Sequence, residues 1–278
     1  MAINSMLVPV SLDGRDEEVL QYVCGLEAQS VRRVIVATAV DSTGMEAPVL
    51  AKELDRARER LVAMCAEFAD CGIDLETRVV TGEAQNAILA LAQQSHVDLI
   101  CCGTEGKSIV DYLFSGSISV DLFSAGQIRT MTVRYDLLEA AADPSRLGSD
   151  FGQRLVIPTD FSASATRAFL SAFDRPPCAM CELHVLHVLK PGATGGERRD
   201  AEVLLEGLQL IAREHGVAMI LAMREGDPAK VTLEYLNEVN ATGVITGQHG
   251  RGRLRQVMLG GVSVKLLREA PCPVVVQP

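Results

Sequence analysis

The chain has 278 residues, which at about 150 residues per domain predicts two domains, and its 48% hydrophobic and 22% charged residues are the balance of a packed globular protein. That balance excludes the disordered, collagen-like and disulfide-scaffold classes. A formal charge of −10, with 7 Phe, 4 Tyr and no Trp, withholds the basic, ring-rich surface of a nucleic-acid groove, so no nucleic-acid partner is expected.

The first apolar run, residues 6–11, predicts a buried strand that ends at Pro9 and opens a loop at Val10-Ser11. Val19, Leu20, Val23 and Leu26 recur at helical spacing, and residues 34–40 form a second strand. Leu50, Leu54, Leu61 and Met64, with charges between them, predict a longer helix, and Gly72 stands where a helix would end. A third strand over 75–80 leads to Gly82-Glu83 and another helix; strands over 98–102 and 129–135 complete the series. Residues 136–153, with Asp143-Pro144-Ser145 and Gly148-Ser149-Asp150, read as a linker between domains 1–135 and 154–278.

From residue 155 the same order returns: strands over 155–160, 183–189, 218–223, 243–246 and 272–277, with Gly226-Asp227 standing where Gly82-Glu83 stood. Apolar strands alternating with amphipathic helices predict two doubly wound α/β domains, each a parallel sheet covered on both faces. The longest apolar stretches, such as 217–223, are far short of the roughly 20 residues that cross a bilayer, so no membrane association is expected. The first residues lack a basic region followed by an apolar core, which makes a cytoplasmic location the expectation and leaves the eight cysteines reduced. Cys178-Ala-Met-Cys181 is a CxxC, but no second CxxC or spaced His pair accompanies it, so surface or core thiols are expected there and no metal site.

Ligands of such sheets bind beyond the carboxyl ends of the strands, where glycines follow the fourth strand in both repeats. One copy reads Gly103-Thr-Glu-Gly106, nine residues, Gly116-Ser117; the other reads Gly247-Gln-His-Gly250, nine residues, Gly260-Gly261. Glycine lets backbone approach an anion or take positive φ, and amides at the next helix start can face phosphate oxygens. Gly106-Lys107-Ser108 is not a Walker A tail, since the glycine needed five residues earlier is Cys101, and no G-x-G-x-x-G follows either first strand. A P-loop NTPase and an NAD-binding domain are therefore not expected.

Pro158-Thr-Asp-Phe-Ser162, His187-Val188, the G-2x-G-9x-G-[ST] loop and the ending Ala270-Pro-Cys-Pro-Val-Val-Val276 together resemble the universal stress protein family, as a tandem two-domain member. The resemblance covers nearly the whole chain. It implies two Rossmann-like, adenine-nucleotide-alpha-hydrolase-like five-stranded domains, packed as a pseudo-dimer through their fifth strands, and in many members ATP or AMP held by the glycine loop. Other members bind no nucleotide.

Carried over, the resemblance places a site in the second repeat at Pro158, Thr159, Asp160 and Val188 around the adenosine, with Thr246, Gly247, Gly250, Gly260, Gly261, Val262 and Ser263 on the phosphate side. A hydroxyl donor is lost where the family's Ser or Thr is Gly261. The corresponding first-repeat residues are Pro9, Val10, Ser11, Ala39, Cys102, Gly103, Gly106, Gly116, Ser117, Ile118 and Ser119, with Ser11 standing for the family's Asp. Asp160 alternatively caps the helix starting near Ser162. Glu105, Lys107 and Asp111 give the first loop a net −1, whereas Arg251, Arg253 and Arg255 give the second +3, which favours the second as the nucleotide site.

No nucleophile elbow or HExxH is present, so catalysis is not expected beyond a slow ATPase, which would need Asp160 or His249 to place water and Mg²⁺ at the phosphates. The expected function is adenine-nucleotide-dependent regulation under stress. The alternatives are a dimerisation or interaction module of the same fold with empty sites, acting on an unidentified protein partner, and the slow ATP hydrolase; a further homodimer of the whole chain is compatible with each.

Overall fold

The computed structural model describes residues 3–12, 14–105, 128–174, 182–250 and 260–278. They form two compact units, residues 3–149 and 150–278. In the N-terminal unit the order is β1 (Ser5–Pro9), α1 (Asp16–Gly25), a 3₁₀ turn (Leu26–Gln29), β2 (Arg33–Val40), α2 (Ala47–Ala66), β3 (Asp74–Thr81), α3 (Ala84–Gln94), β4 (Leu99–Thr104), β5 (Arg129–Arg134), α4 (Tyr135–Ala140) and α5 (Pro144–Ser149). The strands lie side by side as β3-β2-β1-β4-β5, all parallel.

The C-terminal unit repeats the pattern with β6 (Arg154–Thr159), α6 (Ala163–Ser171), a 3₁₀ turn (Ala172–Asp174), β7 (Glu182–Leu189), α7 (Gly195–Glu214), β8 (Met219–Glu225), α8 (Pro228–Glu238), β9 (Gly243–Gly247), α9 (Gly261–Glu269) and β10 (Val274–Gln277), ordered β8-β7-β6-β9-β10. Leu155 stands opposite Leu183 of β7 on one side and Gly243 of β9 on the other, so the strand order reverses beside β6. A crevice opens at such a reversal, beyond the carboxyl ends of the strands.

Burial explains the layering. On one face of the N-terminal sheet Leu7, Ile35, Ala37 and Ile100 pack with Ile88 and Ala92 of α3. α1 supplies Val19, Leu20, Tyr22 and Val23, and the fully buried Tyr22 hydroxyl donates to the Met131 sulfur at 3.4 Å. Each such apolar side chain removed from water contributes about 1.5–3 kcal/mol before entropy is charged against it.

The segment read from sequence as a linker carries α4 and α5. Pro144 begins α5, Asp143 Oδ1 accepts from the Ser145 amide at 2.9 Å, and the helix packs on α1. Gly72 takes φ +81 as a helix-ending glycine would, but α2 ends earlier, at Ala66, and an irregular turn intervenes. β4 and β9 run further than expected and take in Gly103 and Gly247 as strand residues.

Candidate functional site

The loop after β6 is fixed by its own side chains. Thr159 Oγ1 accepts from the Phe161 amide and Asp160 Oδ1 from the Ser162 amide, both at 3.0 Å. Phe161 is held at φ +60, a costly conformation for a bulky residue that the surrounding bonds maintain. Its ring lies 4.5 Å from that of His187, whose Nδ1 donates to the Thr159 carbonyl at 2.8 Å. Ser162, not Asp160, caps α6, accepting from the Ala165 amide at 3.2 Å. Asp160 is two residues too early for that role, and its second carboxylate oxygen is directed at the glycine loop, where a Cβ on Gly250 would stand 2.9 Å away.

The glycine loop leaves β9 against the start of α6. A Cβ on Gly247 would meet Ser164 Oγ at 2.5 Å and its carbonyl carbon at 2.7 Å. The His249 amide donates to Ser164 Oγ at 3.4 Å, and Ser162 Oγ donates to the His249 carbonyl at 3.4 Å. The far end of the loop returns where the Gly260 amide donates to the Gln248 carbonyl at 2.9 Å, and Ser263 Oγ donates to the Gly247 carbonyl at 2.8 Å. None of Gly103, Gly247, Gly250, Gly260 and Gly261 takes a positive φ. Close backbone approach, rather than left-handed geometry, is what these positions require.

α6, α7 and α8 are each capped by a side chain, from Ser162, Thr194 and Asp227. α9, whose N-cap is Gly260, has none among the described residues, as is also true of α1 to α4. The helix dipole places partial positive charge at its first amides.

All eleven residues expected for the second repeat line one cleft of about 190 Å³: Pro158, Thr159, Asp160, Val188, Thr246, Gly247, Gly250, Gly260, Gly261, Val262 and Ser263. His249, named from the sequence only as a residue that could place water in a slow ATPase, lines it too, as do Ala165, Leu186, Pro228 and Thr232, which the sequence reading missed. The repeated Gly-acid pair before α8 was the available signal for Pro228 and Thr232, since it brings that helix start to the same sheet edge. Arg251, Arg253 and Arg255 lie outside the described residues.

In the N-terminal unit Pro9 ends β1, Ala39 lies on β2, and Cys102 and Gly103 lie on β4. The loop after β1 repeats the strained turn, with Leu12 at φ +60. Here, however, a buried carboxylate of α1 occupies the amides: Asp16 accepts from Ser11 at 3.3 Å and from Leu12 at 2.6 Å. Val10 is buried as its amide donates to the Ala37 carbonyl. Gly103 sits under the Tyr135 ring, which a Cβ would strike at 2.6 Å, and burial pushes the Cys102 thiol up to about 12. Glu105 pairs with Arg15 at 2.7 Å, and Arg15 covers the Tyr135 ring. Gly106, Gly116, Ser117, Ile118 and Ser119 lie outside the described residues, as do Cys178 and Cys181.

The model of the universal stress protein family matches the chain twice, over residues 3–134 and 152–278. The chain belongs to the universal stress protein family. A universal stress protein of Methanocaldococcus jannaschii is 27% identical over 144 residues, which is 47% of this chain and 85% of that protein. A solved universal stress protein of Archaeoglobus fulgidus superposes with a TM-score of 0.75 at 23% identity, covering 99% of this chain and 96% of that one. A second, from Pseudomonas aeruginosa, gives 0.62 at 16% identity over 99% and 93%. These likenesses show two universal stress protein domains in tandem on an α/β fold.

Within that family membership the two units differ in what their first loops offer. The C-terminal unit keeps an acidic residue, Asp160, at the cleft. In the N-terminal unit the carboxylate at the corresponding loop comes from Asp16, 3% exposed and bonded inward. Among the described residues no helix is long and apolar enough to cross a membrane.

Proposed function

We propose that this universal stress protein binds an adenine nucleotide, ATP or AMP, in the C-terminal unit and acts as a stress-response regulator through that occupancy. The observation that carries the reading is the uncapped start of α9 opening on the same cleft as Asp160, at the point where the strand order reverses. The amides of Gly261 and Val262 would receive phosphate oxygens, and Asp160 would accept from a ribose hydroxyl or the adenine amino edge. Pro158, Leu186 and Val188 supply the apolar walls that a base needs. A cleft of about 190 Å³ is smaller than the roughly 300–1,000 Å³ of pockets that enclose a ligand. Base and sugar would therefore lie inside, with the phosphates along the loop. Binding mainly in this unit is supported by Asp16, which already satisfies the loop amides of the other.

The test is mass spectrometry of small molecules released from heat-denatured protein, with calorimetric titration of ATP and Mg²⁺ into the stripped protein and into Asp160→Ala. One nucleotide per chain, weakened at least tenfold by the substitution, is the expected result. No released nucleotide and no heat would overturn the proposal in favour of an interaction module of the same fold.

A further inference from the structure

Val203 and Leu210 of α7, 67% and 60% exposed, are the two most exposed large apolar side chains among the described residues. They lie seven positions apart, two turns along one side of the helix, and face away from Ala201, Leu205 and Ala212, which α7 buries. At 100° per residue Arg199, Glu206 and Arg213 run along one flank of this stripe, and Asp200, Gly207 and Glu214 along the other, all exposed. Arg198, on another side of the helix, pairs with Glu225 at 3.3 Å, whereas Arg199, Asp200, Glu206, Arg213 and Glu214 form no ion pair among the described residues. Gly207 is equally without a use inside the chain: its φ is not positive, and a Cβ there would meet nothing within 4 Å, although glycine weakens a helix interior. The face is preformed, since the Thr194 hydroxyl accepts from the Glu197 amide at 3.2 Å and Glu197 accepts from the Thr194 amide at 2.7 Å, which closes the first turn. α2 has the same length but sets the exposed charges Lys52, Asp55, Arg56 and Glu59 outward, with its exposed valines, Val49 and Val62, near its two ends.

We propose that this face of α7 docks a second copy of the chain, with the two α7 helices side by side in the same direction about a two-fold axis parallel to them. The charges select that direction. In a parallel pair the flank that carries Arg199 and Arg213 faces the flank of the second copy that carries Asp200 and Glu214, level by level, so each arginine meets a carboxylate and the symmetry makes every such pair twice. Val203 meets Val203 and Leu210 meets Leu210 across the axis, and Gly207 gives room to Glu206 of the second copy. In an antiparallel pair centred between Glu206 and Gly207 like flanks meet: Arg199 against Arg213, Asp200 against Glu214 and Glu206 against itself, so repulsion flanks the same apolar layers. The apolar contacts supply the attraction, while the exposed ion pairs fix orientation more than strength. One helix pair with two apolar layers buries less than about 1,200 Å² in total, which makes the dimer a weak, reversible one. None of these residues lines the nucleotide cleft.

The test is sedimentation velocity on the full chain in reducing buffer, from micromolar to submillimolar concentration. A reversible monomer–dimer equilibrium is expected, its dissociation constant raised about tenfold or more by Val203→Asp and left unchanged by Val62→Asp on α2. Arg213→Glu sets two carboxylates against each other and is expected to weaken the dimer severalfold; adding Glu214→Arg to the same chain restores opposite charges and with them the affinity. All of these side chains are exposed, so each variant is expected to keep the denaturant midpoint of the unsubstituted protein. If Val203→Asp does not, the charge exchange decides by itself. Monomer at every concentration would overturn the proposal, as would a dimer indifferent to both Val203→Asp and the charge exchange, which must use another surface. A dimer strengthened by Arg213→Glu would overturn the parallel arrangement, because the antiparallel pair is the one that sets Arg213 against an arginine. None of these readouts depends on nucleotide, so the outcome is separate from that of the proposed function.

Discussion

Gly247, the last residue of β9, and Gly250, in the loop that follows, lie three residues apart, yet they exclude a side chain for different reasons. A Cβ on Gly250 would meet the end of a flexible side chain, the Asp160 carboxylate at 2.9 Å, whereas one on Gly247 would meet Ser164 backbone at 2.7 Å and the Ala165 amide nitrogen at 2.9 Å. Gly250→Ala is therefore expected to displace Asp160 and weaken nucleotide binding about tenfold in calorimetry, with a denaturant midpoint close to that of the unsubstituted protein. Gly247→Ala forces β9 away from α6 and is expected to cost about 1–3 kcal/mol of stability in the same denaturation experiment. Equal destabilisation by both would remove the distinction. The duplicated spacing made these positions legible, because two copies of one pattern after two apolar runs fix where a loop must be. The reason for the glycines was not legible. Whether a glycine serves positive φ or close approach depends on Ser164 and Asp160, more than 80 residues away along the chain. Pro228 and Thr232 escaped for a like reason, since the packing of α8 decides that their side of the helix faces the cleft.

At the scale of elements, α1 and α5 cross through two glycines. A Cβ on Gly25 would stand 1.8 Å from the Ser145 carbonyl oxygen, and one on Gly148 would stand 2.0 Å from that of Tyr22. Gly148→Ala must push the helices apart, and a loss of about 1–3 kcal/mol is expected, read as a lower thermal midpoint of the N-terminal unit. Sequence reasoning took Gly148 and Asp143-Pro144 as linker punctuation, which is their common use. Here Pro is at a helix start and Gly is the small residue at a crossing, and only the partner helix distinguishes the two uses. β2 and β3 carry a second device: Arg33 Nε donates to Glu76 at 2.5 Å, and that bond holds the Glu76 carboxyl below the usual carboxylate range. A carboxyl with a lowered pKa in the folded state stabilises above its unfolded value, about 4.3, and the contribution is lost as pH falls through the folded value. Stability measured from pH 7 down to pH 3 is expected to decline below that value, and Glu76→Gln to flatten the decline. Exposure limits the difference to well under 1 kcal/mol.

The whole chain carries −10, yet the charge is uneven: residues 1–135 hold 11 basic and 19 acidic groups, and residues 154–278 hold 14 and 13. An anionic ligand meets opposition over the first half and near neutrality over the second, where Arg251, Arg253 and Arg255 concentrate positive charge in the nine residues between Gly250 and Gly260. If those arginines face the phosphates, their effect must grow with the number of phosphates, because adenosine offers them no charge. Replacing all three by Gln is expected to weaken ATP binding about tenfold, AMP less, and adenosine hardly at all. Exposed charge contacts contribute about 0.2–1 kcal/mol each, and the Debye length shortens from about 10 Å at 0.1 M salt to about 3 Å at 1 M. The ATP difference between the two proteins should accordingly shrink as salt rises, while adenosine binding stays level. Calorimetric titrations of the three ligands at two salt concentrations would read this directly. An equal loss for all three would instead place the arginines in the support of the loop, leaving the start of α9 as the phosphate-binding element.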